Sequence, residues 1–79
     1  MNLTSTMPGL ELPTFCQRLH DRYEHAPAYQ DIWRGAVNRR FVAERVGGRW
    51  RIPAGAEERA EAEAVAAFGL KPKSHPVAA

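Results

Sequence analysis

Apolar residues recur at helical spacing in three stretches of this chain and alternate with polar ones in a fourth. In the first stretch Phe15, Cys16, Leu19 and Tyr23 put one apolar stripe on a helix of about ten residues. Pro13-Thr14 predicts its start, with the Thr14 hydroxyl accepting from the first free amides. His25-Ala26-Pro27 ends it, because the residue before a proline is pushed out of the helical region. A second helix is expected from Pro27 or Ala28, proline being favoured in a first turn. Its inward stripe is read as Tyr29, Ile32, Trp33, Ala36 and Val37. Gln30, Arg34 and Asn38 form the outward one, with Asp31 and Gly35 alongside.

The alternating stretch predicts a strand from about Phe41 to Val46, a Gly47-Gly48 loop and a return strand from Arg49 to Ile52. Both central positions of the tight hairpin turn need positive φ, which glycine supplies. Fixing the loop fixes the pairing: Val46 opposite Arg49, Arg45 opposite Trp50, Glu44 opposite Arg51 and Ala43 opposite Ile52. Ala43, Arg45, Trp50 and Ile52 then share one face, where Arg45 can stack on Trp50. Glu44, Val46, Arg49 and Arg51 share the other, where a Glu44–Arg51 pair would contribute ~0.2–1 kcal/mol. The last stretch, Ala56 to Phe68, is rich in alanine and glutamate and predicts a final helix. Its early acids complement the positive N-terminal end, Ala60, Ala64, Val65 and Phe68 form its stripe, and Gly69-Leu70 closes it. The acids of this helix are spaced as a solvated face. Residues 1–12 read as a flexible arm, 13–70 as the folded domain and 71–79 as a disordered tail.

Seventy-nine residues make one domain at most, near the size where a single core is only marginally stabilising. The single cysteine, Cys16, excludes an internal disulfide framework and reads as a small buried hydrophobe. The three histidines show no metal-site spacing with it, and no cofactor is expected. No run of 18 apolar residues suggests a membrane span. Nothing basic precedes the apolar positions of the first residues, so no signal peptide is expected. The expected location is the cytoplasm.

Charge changes the picture through its distribution. The net charge is only +2, yet from Ile32 to Ile52 there are six arginines against one glutamate. From Ala54 to Leu70, four glutamates face one arginine. Genome base composition accounts for arginine being used in place of lysine, but not for the clustering. A basic end opposed to an acidic one predicts that the basic end faces a polyanion.

The order helix, turn, helix, two-stranded wing, helix predicts a mainly α fold with a β-hairpin, a winged helix-turn-helix. Ile32-Trp33-Arg34 and the run Val42-Ala43-Glu44-Arg45-Val46-Gly47-Gly48-Arg49-Trp50-Arg51-Ile52-Pro53 resemble the excisionase-like, MerR-type group of small DNA-binding domains. Members carry a hydrophobic–aromatic–arginine run in a short recognition helix, an Arg-Val-Gly turn in the wing and a return strand ending in Ile-Pro. The layout matches from Thr14 to Leu70, the motif itself over about 25 residues. The resemblance implies double-stranded DNA as partner, with residues 27–38 in the major groove and residues 45–51 on the backbone or minor groove. It implies DNA-facing roles for Trp33 and Arg34, and wing roles for Arg45, Gly47 and Arg49. Three positions depart from the family pattern. Asp31 stands for Ser or Thr, Gly35 for a bulky core aromatic with Trp33 as its replacement in packing, and Arg39 for the turn glycine.

The candidate DNA-binding residues are therefore Gln30, Trp33, Arg34, Asn38, Arg39, Arg40, Arg45, Arg49 and Arg51. Arg pairs with guanine edges and Asn or Gln with adenine, which suits Gln30, Arg34 and Asn38. Arg49 and Arg51 suit phosphates. Arg39 and Arg40 are either backbone contacts or charges complementing a helix C-terminus. Trp50 reads as core, while Trp33 is either core or DNA-facing. No phosphate-binding glycine loop, activated nucleophile or paired carboxylates occur, so no enzyme and no small-molecule substrate is expected. The expected function is site-specific DNA binding by a nucleoid-associated recombination directionality factor or small transcriptional regulator. Cooperative self-association on DNA would add specificity, the acidic last helix of one copy meeting the basic wing of the next. The alternative keeps the fold and gives it an acidic protein partner, as an antitoxin, adaptor or phage-encoded inhibitor.

Overall fold

The computed structural model describes residues 9–73. In chain order the elements are β1 (Leu10–Glu11), α1 (Leu12–Arg22), β2 (Tyr23–Glu24), α2 (Tyr29–Val37), β3 (Glu44–Val46), β4 (Arg49–Ile52), α3 (Glu57–Phe68) and β5 (Lys71–Pro72). Three helices thus stand with a three-stranded antiparallel sheet, ordered β1-β4-β3, and a two-stranded pair, β2-β5. No described helix is long and apolar enough to cross a membrane.

The hairpin has the register that Gly47-Gly48 dictates: Glu44 opposite Arg51, Arg45 opposite Trp50 and Val46 opposite Arg49. Both glycines hold positive φ, 58° and 80°, as a tight hairpin loop between right-twisted strands requires. β3 starts at Glu44 instead of Phe41, because Phe41 turns inward and becomes core. The Glu44–Arg51 ion pair does not form; β1 lies on the other edge of β4, with Glu11 opposite Arg51.

β1 is the largest departure from the expected layout. Leu10 and Glu11, assigned above to the arm, pair with Ile52 and Arg51. The chain leaves the sheet at Glu11 and enters α1 at once, so Glu11 is the cap and Thr14 lies inside the helix. A side-chain cap gives about 1 kcal/mol. Sheet pairing and the complete burial of Leu12 outweigh it. Pro13 falls in the first turn, where its missing N–H costs nothing. Residues 1–8 of the expected arm lie outside the described residues.

The tail is likewise tied down further than its composition suggests. Lys71 and Pro72 pair with Glu24 and Tyr23, and the Lys73 amide donates to the Arg22 carbonyl at 3.0 Å. Residues 74–79 lie outside the described residues. Tyr23, expected on the α1 stripe, is already extended. Gly69 closes α3 at φ 66°, and the Leu70 amide donates to the Val65 carbonyl while its side chain is buried.

The core comprises Leu12, Phe15, Cys16, Leu19, Ile32, Ala36, Phe41, Ile52, Ala60, Ala64 and Leu70. The largest of the side chains sealed from solvent are Phe15, Leu12, Leu19, Ile32 and Ile52, each giving about 1.5–3 kcal/mol relative to exposure. Phe41 bridges two aromatic partners, with ring centroids 5.2 Å from Phe15 and 6.4 Å from Phe68. Gly35 makes this possible. A Cβ there would stand 2.9 Å from both the Phe41 and the Phe68 rings. The two phenylalanines fill the space of the bulky residue expected in α2, so Trp33 has no packing role to inherit. Trp33 points outward.

One acid of α3 is buried. Glu61 is 7% exposed and accepts from Arg18 Nε at 2.7 Å, Arg22 Nη1 at 3.0 Å and the Tyr23 hydroxyl. The expectation of a fully solvated acidic face is therefore incorrect. Glu63 also has a structural duty, accepting from the Val42 amide at 2.8 Å and from Arg59 Nε at 3.1 Å, which fixes the lead-in to the hairpin.

Candidate functional site

α2 has nine residues, and packing against α1 and α3 uses only one side of it. Ile32, Gly35 and Ala36 are buried. The expected inward stripe was too wide for so short a helix. Tyr29, Trp33 and Val37, spaced by four, lie on an outer edge at 43%, 41% and 42% exposure. Around the exposed arc, that apolar edge is followed by Gln30, then by Arg34, Asn38 and Asp31. Helical geometry therefore gives α2 two different outer edges, one aromatic and one polar.

The aromatic edge faces the hairpin tip. Tyr29 and Trp33 line a cleft of about 220 Å³ with Gly48, Arg49, Trp50, Glu11 and Pro13. The polar edge opens the other way: Arg34, Asn38 and Asp31 border a hollow with Arg40, Gly35 and Phe68. Arg40 also lines a broader groove between the hairpin and α3, where Arg39, Arg45 and Arg59 join it above Ala36, Phe41 and Ala66. The candidate residues thus do not meet at one point. They form a band running from Arg49 across α2 to Arg34 and Arg40, then back under the hairpin to Arg39 and Arg45.

The electrostatics of this band are distinctive. Arg34 approaches Asp31 at 3.8 Å and Arg49 approaches Glu11 at 3.8 Å, both exposed and at the limit of an ion pair. Among the described residues Arg39, Arg40, Arg45 and Arg51 make no ion pair. The Arg45 guanidinium lies 5.7 Å from the Trp50 ring centroid, the stacking expected from the hairpin register. Trp50 is half-buried against the core, and its indole N–H is buried with no hydrogen-bond partner. Arg39 sits at φ 60°, a left-handed conformation that glycine adopts without cost. The departure from glycine at this position therefore stores strain and sets a guanidinium at the corner between α2 and the hairpin.

Sequence reasoning missed Tyr29, Val37 and Arg59 as surface features of this region. Gly35 carried the usable signal, since a buried glycine in so short a helix needs outside aromatics to fill its space. Phe41 and Phe68 were the candidates. Nothing local marks Glu11, whose place beside Arg49 comes from the β1–β4 pairing.

Among the described residues no group of histidine, cysteine or acidic side chains could hold a metal ion. Burial pushes the Cys16 thiol above its ordinary pKa, which suits packing and not nucleophilic chemistry. No protein-family model, curated protein or solved structure matches the chain.

Proposed function

We propose that this chain is a winged helix-turn-helix domain that binds double-stranded DNA, with α2 in the major groove and the β3–β4 hairpin along the backbone or minor groove. The observation that carries the reading is the arginine band: guanidiniums from α2, the corner after it and the hairpin lie at the surface or partly so, four of them without an ion pair among the described residues and two, Arg34 and Arg49, only at 3.8 Å from exposed acids. Cations clustered in this way repel one another; the phosphates of a polyanion relieve that repulsion, and the counterions that they release drive binding. The outer arc of α2 adds side chains that can read bases, Gln30, Arg34 and Asn38. Asp31 leans towards Arg34, orienting the guanidinium at little cost. The resemblance of the Ile32–Pro53 segment to excisionase-like and MerR-type domains points the same way, towards recombination or transcription control.

One short helix and one hairpin give weak, salt-dependent binding, so several copies side by side would supply specificity. The acidic surface left for such contacts is smaller than charge counting suggested, since Glu61 is committed internally and Glu57 accepts from the Gly55 amide. A gel shift with random genomic fragments tests the reading. Retardation is expected at about 50 mM salt and its loss at about 200 mM. No retardation at the lower salt overturns it and turns the same arginines towards an acidic protein partner.

A further inference from the structure

An outward row of large apolar residues is unusual on a domain this small, and solvent alone gives no reason for it. Tyr29, Trp33 and Val37 form such a row along α2, with Arg49 across the cleft on one side and Arg34 on the other, each only loosely paired, at 3.8 Å, with an exposed acid, Glu11 and Asp31. A wholly apolar partner surface would leave both guanidiniums facing carbon. The flanking guanidiniums instead call for an occupant that is apolar in the middle and offers hydrogen-bond acceptors or anions at its borders. The major groove of a thymine-bearing duplex has that profile: C5-methyl groups project into the groove beside the N7 and O6 acceptors of neighbouring purines, with phosphates along its rim.

We propose, resting on the DNA reading above, that Tyr29, Trp33 and Val37 read pyrimidine C5-methyl groups, so that thymine is selected opposite this edge of α2. The row spans about 12 Å along the helix axis, or roughly three base-pair steps. The two outer edges of α2 then divide the work. Arg34 and Asn38 read purines through hydrogen bonds, and the aromatic edge reads methyls through contact. Trp33 is the centre of the row and its main specificity determinant. Its indole ring buries the largest apolar area of the three when it meets a methyl.

The test uses a pool of random duplexes enriched by binding to the intact chain, then amplified with either thymidine or deoxyuridine triphosphate. Uracil pairs as thymine does and lacks only the methyl. Binding is expected to weaken about fourfold for each methyl lost from the contact. Trp33→Ala should remove the difference between the two DNAs without changing the salt slope, and Val37→Ala should reduce it. Placing cytosine or 5-methylcytosine at the selected thymine separates methyl recognition from base identity, with the methylated form binding more tightly. Equal affinity for thymine and uracil DNA overturns the methyl inference while leaving DNA binding intact. A Trp33→Ala variant that loses self-association but keeps the thymine preference overturns it too, assigning the row to a protein contact. No retention of any duplex at low salt removes the DNA reading and this inference together.

Discussion

Arginines on the two sides of this molecule have opposite surroundings. On α1, Arg18 and Arg22 both reach Glu61, Arg18 at 2.7 Å with its side chain only 23% exposed. On α2 and the hairpin, Arg34 and Arg49 stand 3.8 Å from exposed acids, and four neighbours make no ion pair among the described residues. The first arrangement joins α1 to α3 and commits both guanidiniums to an internal acid. The second leaves charge uncompensated, which costs stability through self-repulsion and has value only when an anion arrives. Residue type is the same in both; what differs is whether the fold supplies an acid in reach.

Breaking the Glu61 network should have the largest effect on stability. Glu61→Ala leaves Arg18 partly buried without a partner and should cost about 2–3 kcal/mol in denaturant unfolding. That is at or below the ~3–5 kcal/mol of a fully buried pair, because Arg22 stays in water. DNA affinity of the folded variant should not change. Arg34→Ala should do the reverse, with stability within about 0.5 kcal/mol. Binding should weaken by about 1–3 kcal/mol at one base position and relax sequence preference there. If the two variants behave alike, the division between structural and available arginines is wrong.

Acid should sharpen the contrast. Burial alone would raise the Glu61 carboxyl, but hydrogen bonds from Tyr23, Arg18 and Arg22 outweigh it and hold the pKa below the ordinary carboxylate value. Its contribution is then fully present above the unfolded pKa of about 4.3 and is lost as pH falls through the lower folded value. The Tyr23 hydroxyl, donating to Glu61 and partly desolvated, is shifted up. Its contribution persists below about pH 10 and is lost as pH rises through the folded value. Thermal melts across pH should show both losses in the parent chain, and Glu61→Gln should blunt the acid one.

Smaller effects are expected from the band itself. Arg49→Ala should weaken all DNA sequences alike and make the salt slope shallower by about one unit. Arg39→Gly should relieve the left-handed backbone and raise stability by up to about 0.5 kcal/mol, the gain being offset in part by a freer unfolded chain. The same change should lower DNA affinity. A variant both less stable and tighter on DNA would contradict the assignment of strain to that corner.

Much of this architecture was legible because it is decided within a few residues of chain. Gly47-Gly48 admits one compact turn, and the turn sets the register that brings Arg45 over Trp50. Alanine and glutamate make α3, and Gly69 stops it. The clustering of arginines is a property of the chain and needed no coordinates. The tertiary structure decided the rest, because those features depend on partners far apart in sequence. Two-residue strands such as β1 and β5 carry no pattern of their own and exist only where β4 and β2 await them. Glu61 looks like the other glutamates of α3 until α1 brings two guanidiniums, and β2 a phenol, to it from about 40 residues away. Trp33 could have faced either way by periodicity. It lies on an outer edge because Ile32, Gly35 and Ala36 take the buried side of α2, where Phe41 and Phe68 fill the space beside Gly35.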